Sequence, residues 1–407
     1  MTTIVDSNLP VARPSWDHSR LESRIVHLGC GAFHRAHQAL YTHHLLESTD
    51  SDWGICEVNL MPGNDRVLIE NLKKQQLLYT VAEKGAESTE LKIIGSMKEA
   101  LHPEIDGCEG ILNAMARPQT AIVSLTVTEK GYCADAASGQ LDLNNPLIKH
   151  DLENPTAPKS AIGYIVEALR LRREKGLKAF TVMSCDNVRE NGHVAKVAVL
   201  GLAQARDPQL AAWIEENVTF PCTMVDRIVP AATPETLQEI ADQLGVYDPC
   251  AIACEPFRQW VIEDNFVNGR PDWDKVGAQF VADVVPFEMM KLRMLNGSHS
   301  FLAYLGYLGG YETIADTMTN PDYRKAAFAL MMQEQAPTLS MPEGTDLNAY
   351  ATLLIERFSN PSLRHRTWQI AMDGSQKLPQ RLLDPVRLHL QNASGWRHLA
   401  LGVAGWM

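Results

Sequence analysis

The feature that most constrains the fold is a glycine turn near the N-terminus, placed between an apolar run and a helical pattern. Residues 24–46 read RIVHLGCGAFHRAHQALYTHHLL, in which the apolar run enters the turn and a periodic helix follows. This order of strand, turn and helix is the context in which a dinucleotide fingerprint operates. Gly29 would form the tight turn, and Gly31 would let the backbone approach a pyrophosphate at the helix N-terminus. The pattern therefore predicts a nucleotide-binding unit at the start of the chain.

The fingerprint departs from the full glycine pattern at its third position. His34 stands there, so we expect the following helix to pack less closely on its strand. An acidic residue after the second strand is expected to contact the adenosine ribose, and Asp65 is the candidate because Glu57 lies within the predicted strand 52–60. The alternative is that Asp65 only caps the helix that begins there.

The fold class follows from how strand and helix patterns alternate. Apolar strand patterns at 121–128, 179–184 and 219–225 are separated by helical patterns at 161–175 and 193–203. This alternation, continued to about residue 283, predicts a mostly parallel sheet. Helical patterns dominate afterwards, at 285–305, 323–335, 347–358, 364–371 and 380–390. We predict an α/β protein with a Rossmann-like domain over 1–283 and a predominantly α-helical domain over 284–407.

Polar residues stand at the ends of the predicted strands, where ligands of α/β proteins usually bind. Glu129 follows the strand that contains Thr126, Asn187 follows strand 179–184, and Asp226 closes strand 219–225. Asn187 has the alternative of being an ordinary turn residue. Asp226 has the alternative of pairing only with its neighbour Arg227.

A second stretch, VPFEMMKLRMLNGSHSF at 285–301, places polar groups against an apolar helix face. At α-helical spacing Lys291, His299 and Asn296 fall at roughly 0°, 80° and 140°. A desolvated Lys can act as a base, and an Asn amide can donate to a developing alkoxide or carbonyl oxygen. These groups suit the oxidation of an alcohol. The alternative is a solvated Lys, a core His and an Asn beside a kink at Gly297.

Charge and cysteine usage limit the class of protein. The net charge of −12 argues against non-specific binding to nucleic acid or to anionic membranes. The chain shows neither an apolar run long enough to span a bilayer nor a secretory signal. Its eight cysteines are dispersed, which is typical of reduced thiols in the cytosol, and Cys250 with Cys254 alone is a poor zinc signal. We expect a cytoplasmic protein without a metal site.

The last residues, WRHLALGVAGWM at 396–407, carry no signal that usually ends a helix. We expect the natural chain to continue beyond them.

Six motifs together resemble the polyol-specific long-chain dehydrogenases, the mannitol dehydrogenase family, over essentially the whole chain. They are GCGAFHRAHQ, TVTEKGY, SCDNVRENG, VDRIVP, the Lys291, Asn296 and His299 set, and DGSQKLPQR. The resemblance implies a two-domain enzyme that uses NAD without metal. Cofactor contacts are predicted at Gly29, Gly31, Ala32, Phe33, Asp65, Thr126 and Glu129.

The resemblance also implies roles for individual side chains. Lys291 would be the general base, Asn187 and Asn296 would hold the oxyanion, and His299 would orient the substrate. Asp226 would bind a hydroxyl, Glu288 would lie on a proton path, and Lys377 would contact the far part of the substrate. Polyol-oxidising relatives carry an Arg where this chain has Gln369. We expect family members that act on polyols and members that act on uronates to differ at this position.

The activity implied is reversible hydride transfer between NAD and a sugar acid, D-mannonate in one direction and D-fructuronate in the other. A basic cluster is the candidate carboxylate site: Arg364, Arg366, Lys377 and Arg381. At least two of these four could instead form a solvated face. Alternatives within the class are tagaturonate reduction and mannitol or arabinitol oxidation, and outside it a nucleotide-binding sensor. We expect a monomer or weak homo-oligomer that binds a small sugar acid and neither nucleic acid nor membranes.

Overall fold

The computed structural model describes residues 3–6 and 8–407, so Met1, Thr2 and Ser7 of the N-terminal lead-in lie outside the described residues. The chain divides into two compact units. The first unit comprises Met1–Glu83 and Thr89–Val284, and the second comprises Lys84–Ser88 and Val285–Met407.

The described strands all begin in the first unit. They are β1 (Glu22–Leu28), β2 (Trp53–Val58), β3 (Tyr79–Lys84), β4 (Thr89–Ile94), β5 (Met97–Leu101), β6 (Ile122–Leu125), β7 (Thr181–Ser184), β8 (Thr223–Asp226), β9 (Ile252–Cys254), β10 (Gln259–Glu263) and β11 (Gln279–Val281).

The α-helices of the first unit lie singly or in pairs between these strands. They are α1 (Ala32–Ala36), α2 (Gln38–Ser48), α3 (Asn64–Lys74), α4 (Pro103–Met115), α5 (Pro146–Glu153), α6 (Ala161–Glu174), α7 (Asn191–Arg206), α8 (Pro208–Asn217) and α9 (Pro234–Leu244). Short 3-10 turns lie at His18–Arg20, Glu129–Tyr132 and Trp273–Val276.

The central sheet is parallel throughout, with the strand order β5-β2-β1-β6-β7. Its inner strands are buried on both faces, which explains why they appear in the sequence as continuous apolar runs. Strand order reverses between β1 and β6, and ligands of such sheets bind beyond the strands' carboxyl ends at that point. The prediction of a Rossmann-like parallel sheet is confirmed.

Two smaller sheets, β4-β3-β9 and β11-β10-β8, complete the first unit. An edge strand of the central sheet, β5, was not predicted from the sequence. Met97 and Ala100 of this strand are buried, and Lys98 and Glu99 between them are partly exposed. Glu99 pairs with Arg117, so charge on one face of this strand hid its apolar face.

The second unit is helical, as predicted. Its α-helices are α10 (Val285–Met290), α11 (Ser298–Leu308), α12 (Ile314–Met318), α13 (Pro321–Ala329), α14 (Leu347–Phe358), α15 (Thr367–Ala371), α16 (Gly374–Leu378), α17 (Asp384–Gln391) and α18 (Arg397–Trp406). Turns of the 3-10 type lie at Ala336–Thr338 and Pro361–Leu363. No helix among the described residues is long and apolar enough to cross a bilayer.

Three π-helices interrupt the second unit, and they correct the prediction of uniform α-helices there. The first π-helix is Lys291–Gly297, the second is Leu330–Gln335 and the third is Pro379–Leu383. The predicted helix 285–305 is therefore α10, a π-helix and α11 in succession. Wide turns of this kind are rare and often lie at functional sites, and sequence periodicity does not reveal them.

Candidate active site

A cavity of about 240 Å³ opens at the carboxyl ends of β1 and β6 in the first unit. Four of the residues predicted to bind the cofactor line it: Gly29, Gly31, Asp65 and Thr126. Further lining residues were not foreseen: Asn59, Leu60, Met61, Val127, Thr128, Gly131, Leu147, Lys159, Ser160 and Ala161.

The tight turn depends on Gly29, both for its backbone angle and for its closeness to β6. Its φ is +103°, and a Cβ there would lie 2.1 Å from the backbone oxygen of Thr126. The Thr126 hydroxyl donates to the Gly29 carbonyl at 2.7 Å, and Nε2 of His27 lies 2.8 Å from that hydroxyl. The turn is thus fixed to the end of β6 by hydrogen bonds.

Gly31 has a different reason to be glycine. Its φ of −80° suits any residue, and a Cβ there would come no closer than 4.0 Å to the protein atoms it could meet, the nearest being the Gly29 oxygen. A side chain at this position would therefore occupy the cavity itself. This fits a nucleotide whose pyrophosphate lies against the backbone at Gly31.

Beneath the turn, His34 occupies the position of the third fingerprint glycine without opening a gap. Its ring stacks on His27 at a centroid distance of 3.4 Å, and its Nε2 lies 2.7 Å from Oε1 of Glu57. Burial lowers the pKa of His34 to about 3 and raises the pKa of Glu57 to about 7. The helix therefore packs on β1 through a buried polar layer.

The same three side chains, His27, His34 and Glu57, have possible ligand atoms within 4.8 Å of one another. The two imidazole planes are only 11° apart, so their in-plane lone pairs run side by side and do not converge on one ion. Nδ1 of His27 lies 2.7 Å from the Ser124 hydroxyl, so this ring nitrogen already has a hydrogen-bond partner in the protein. The cluster is therefore a hydrogen-bonded packing layer.

Asp186 holds the segment after β6 that forms one wall of the cavity. It accepts hydrogen bonds from the backbone N–H groups of Val127 and Thr128, at 3.2 and 2.9 Å, and from the Tyr132 hydroxyl at 2.6 Å. Thr128 has a φ of +64°, an unfavourable angle for a β-branched residue. Asn187 follows directly and is exposed at the end of β7.

Asp226 is buried at the end of β8 and has partners of its own. Its neighbour Arg227 donates to the backbone oxygens of Glu255 and Ala36, at 3.0 and 2.6 Å, and pairs with Glu83. Arg227 therefore has partners on other segments of the chain, and the substrate contact of Asp226 stays a prediction.

Asp65 lies in the first turn of α3 on the cavity wall, and burial raises the pKa of its carboxyl. The neighbouring Arg66 pairs with Glu70 at 2.9 Å and with Glu104 at 3.2 Å. The opposite wall is the N-terminus of α6, where Ser160 accepts from the Gly163 N–H at 2.8 Å. A Ser before an apolar helical run is an N-cap signal that the sequence analysis could have used.

Three of the residues predicted to bind the cofactor are not among those lining the cavity. Ala32 packs against the apolar cluster that contains Ile69, and the Phe33 ring stacks on His37 at 4.9 Å. Glu129 is exposed on a 3-10 turn. Side-chain direction within α1 separates Ala32 and Phe33 from Gly29 and Gly31, although these residues are close in sequence.

In the second unit the first π-helix begins at Lys291 and contains Asn296. A π-helix bonds residues five apart, so Lys291 and Asn296 stand one above the other on the same face. An α-helix would have placed them about 140° apart. Glu288 lies one turn earlier, in α10.

His299 follows in α11, with its ring stacked on Phe358 and tilted towards His365, each at 5.4 Å. Its Nε2 is buried and has no hydrogen-bond partner within the described part of the chain. Burial lowers the pKa of His299 well below its usual value, and the charges of His365, Arg381, Arg357 and Lys377 lower it further. His299 is therefore neutral at physiological pH, with one ring nitrogen available to a hydroxyl.

The predicted basic cluster divides into two pairs. Arg364 and Arg366 are exposed, as expected for a solvated face. The Lys377 Nζ donates to the backbone oxygens of Ile370 and Met372, at 3.3 and 2.7 Å. Arg381 donates to the Asn296 oxygen at 3.4 Å and to the Ser300 hydroxyl at 3.0 Å. Two further residues were not predicted from the sequence: Arg357 adds to the positive potential at His299, and the ring of His365 lies beside it.

The chain is similar to known proteins along most of its length. A family model described as the mannitol dehydrogenase Rossmann domain matches residues 23–275, and one described as the mannitol dehydrogenase C-terminal domain matches residues 283–407. Over all 407 residues the chain is 99% identical to D-mannonate oxidoreductase of Escherichia coli (strain K12), and it spans 84% of that protein.

Two solved structures are similar along nearly the whole chain. One is the Pseudomonas fluorescens mannitol 2-dehydrogenase in a ternary complex with NAD and D-mannitol, at 41% identity and a TM-score of 0.84, covering 97% of this chain and 80% of that one. The other is a substrate-free D-sorbitol dehydrogenase, at 39% identity and a TM-score of 0.93, covering 97% of this chain and 81% of that one.

Proposed function

The chain belongs to the mannitol dehydrogenase family, and from that premise we propose that it interconverts D-fructuronate and D-mannonate. It is an NAD-dependent oxidoreductase, as the sequence predicted. The observation that favours a sugar acid over a neutral polyol is the positive charge around His299, supplied by Arg381, Arg357 and Lys377. The 99% identical relative named D-mannonate oxidoreductase supports the same substrate.

Lys291 is the proposed acid and base. In the oxidative direction it accepts the proton of the D-mannonate hydroxyl next to the terminal CH2OH group, and in the reductive direction it returns a proton to the carbonyl oxygen. Such a group typically contributes about 10²–10⁴-fold to the rate. Glu288, one helical turn away, is the proposed route by which the proton leaves. NAD, when bound, supplies the acceptance and return of hydride.

Two amides are proposed to donate to the oxygen as it changes between hydroxyl and carbonyl: Asn187 and Asn296. The loss of one such donor typically costs about 10²–10³-fold in rate. The neutral imidazole of His299 is proposed to orient a substrate hydroxyl through its unpartnered Nε2. Asp226 is proposed to bind another hydroxyl.

The cofactor is proposed to lie in the cavity at Gly29 and Gly31, with its ribose near Asp65. A carboxylate can accept from both ribose hydroxyls and repels a 2′-phosphate. Arg66, the cation closest in sequence, is engaged by Glu70 and Glu104. These contacts support a preference for NAD over NADP.

The proposal is tested by following NADH oxidation on purified protein with D-fructuronate, D-tagaturonate, D-fructose and D-xylulose, and by repeating the D-fructuronate assay with NADPH. We expect the highest kcat/KM for D-fructuronate with NADH. A higher value for D-tagaturonate or for an uncharged ketose would assign the enzyme to a neighbouring activity. NADH binding without turnover of any of the four would favour a nucleotide sensor.

Cytoplasmic location and a monomeric or weakly associated state remain part of the proposal. The assignment of nucleotide binding to residues 1–283 and of substrate binding to 284–407 also remains a proposal.

A further inference from the structure

The first π-helix requires support from outside itself, because π turns are rare and are kept where surrounding structure holds them. The polypeptide returns to α-helix on both sides of it, in α10 and α11. At its C-terminal end the hydroxyl of Ser298, the first residue of α11, donates to the backbone oxygens of Met294 and Leu295. These local bonds involve only neighbouring residues, so the remaining support comes from other elements.

The three π-helices meet at Gly297. A Cβ at Gly297 would lie 2.4 Å from Nε2 of Gln335 and 3.0 Å from the backbone oxygen of Arg381. Gln335 ends the second π-helix and is fully buried, and Arg381 lies in the third π-helix. The glycine therefore allows both helices to approach the turn that carries Asn296.

Arg381 supplies the polar contact to this turn. Its Nη1 donates to the Asn296 backbone oxygen at 3.4 Å and to the Ser300 hydroxyl at 3.0 Å. One guanidinium nitrogen therefore bridges the last residues of the π-helix and the first turn of α11. Because Arg stays protonated in proteins, this bridge is present across the working pH range.

We propose that Arg381 is a positioning residue: it holds the π turn that aligns Lys291 with Asn296, and it does not bind the substrate's carboxylate. The inference rests on the proposed function for the roles of Lys291 and Asn296. Lys377 is assigned a different role, because it uses two of its three N–H groups on backbone oxygens and keeps one for a ligand.

The test compares Arg381→Met and Arg381→Lys with Arg387→Met, an exposed arginine of α17 that pairs with Asp384. Arg381→Met is expected to lower kcat by about 10²-fold, since small misplacements of catalytic groups have effects of this size. Its KM for D-fructuronate and its Kd for NADH should stay within about threefold of wild type. On D-fructose, where turnover is measurable, the loss in kcat should be the same factor.

Arg381→Lys should recover part of the lost kcat, because one ammonium can still reach one of the two acceptors. Ser300→Ala, which removes one acceptor, gives a second and milder variant if Arg381→Met does not fold, and it should lose a smaller factor in kcat on both substrates. Arg387→Met should match wild type in every measurement.

Hydrogen–deuterium exchange tests the inference independently of substrate. Amides of residues 296–302 should exchange faster in Arg381→Met than in wild type, with no such change in Arg387→Met. A loss seen only as a higher KM for D-fructuronate, or unchanged exchange at these amides, overturns the inference. If wild type reduces neither sugar, the proposed function fails, and the exchange result alone decides the role of Arg381.

Discussion

Lys291 is the residue on which the proposed proton transfer depends, because no other lysine stands in the first π-helix with an amide one turn away. We expect Lys291→Ala to lower turnover of D-fructuronate by at least about 10²-fold, while NADH binding, measured by fluorescence titration, stays unchanged. Lys325→Ala, on the exposed side of α13, is the matched control. Turnover close to wild type in Lys291→Ala at neutral pH would remove Lys291 from the mechanism.

Lys377 is the residue of the basic cluster that we expect to meet the carboxylate. A hydrogen bond to a charged group contributes about 1.5–3 kcal/mol, so Lys377→Met should lose about one to two orders of magnitude in kcat/KM on D-fructuronate. The loss on uncharged D-fructose should be much smaller, and Lys325→Met should lose nothing on either. Equal losses on both sugars would show that Lys377 only supports the backbone at Ile370 and Met372.

At the scale of elements, the turn between β1 and α1 holds two glycines with separate physical requirements. Gly29 is needed by the protein, because its φ is positive and the Thr126 backbone is in contact. No such requirement applies to Gly31, because its φ is ordinary and a Cβ there would come no closer than 4.0 Å to the protein atoms it could meet.

We therefore expect Gly31→Ala to keep the thermal stability of wild type and to weaken NADH binding by about tenfold or more, since an extra carbon in a filled space costs about 1–3 kcal/mol. Gly29→Ala should lower the Tm by several degrees before any ligand is added. Calorimetry and NADH titration on both variants provide the measurement. Wild-type NADH affinity in Gly31→Ala would place the pyrophosphate elsewhere.

For the whole molecule, stability depends on pH through buried groups that bind protons differently when folded and unfolded. Burial lowers the pKa of His34 and His37 to about 3 and that of His43 to about 4. Their unfolded values lie near 6.5, so the unfolded chain binds more protons below that pH and stability falls as pH decreases. Glu57, with a pKa of about 7, acts in the opposite direction between about 4.5 and 7.

The histidines outnumber the glutamate, so we expect the free energy of unfolding to fall by roughly 2–3 kcal/mol per pH unit below about 6. Urea unfolding at several pH values between 5 and 8 provides the measurement. Glu57→Gln removes the opposing contribution and should steepen the dependence, whereas His43→Gln should make it shallower. A free energy of unfolding that is constant from pH 5 to 7 would contradict the assignment of neutral buried histidines.

Local patterns in the sequence determined the larger features of the molecule. An apolar run, two glycines and a helical period are enough to specify a strand, a turn and a helix, because each signal acts over a few residues. The parallel sheet and the helical second unit followed from the order of such signals along the chain. Gly29, Gly31, Asp65 and Thr126 were placed on the cavity for the same reason.

Only the tertiary structure decided how the remaining site residues are arranged. The sequence predicted one α-helix through Lys291 and Asn296, and contacts from Gln335 and Arg381, far along the chain, accompany a π-helix there instead. The wall at Ser160, the His34–Glu57 pair and the positive charge from Arg357 around His299 likewise join residues distant in sequence. Residue periodicity describes one element at a time, whereas these features depend on hydrogen bonds, burial and charge between elements that meet only when the chain folds.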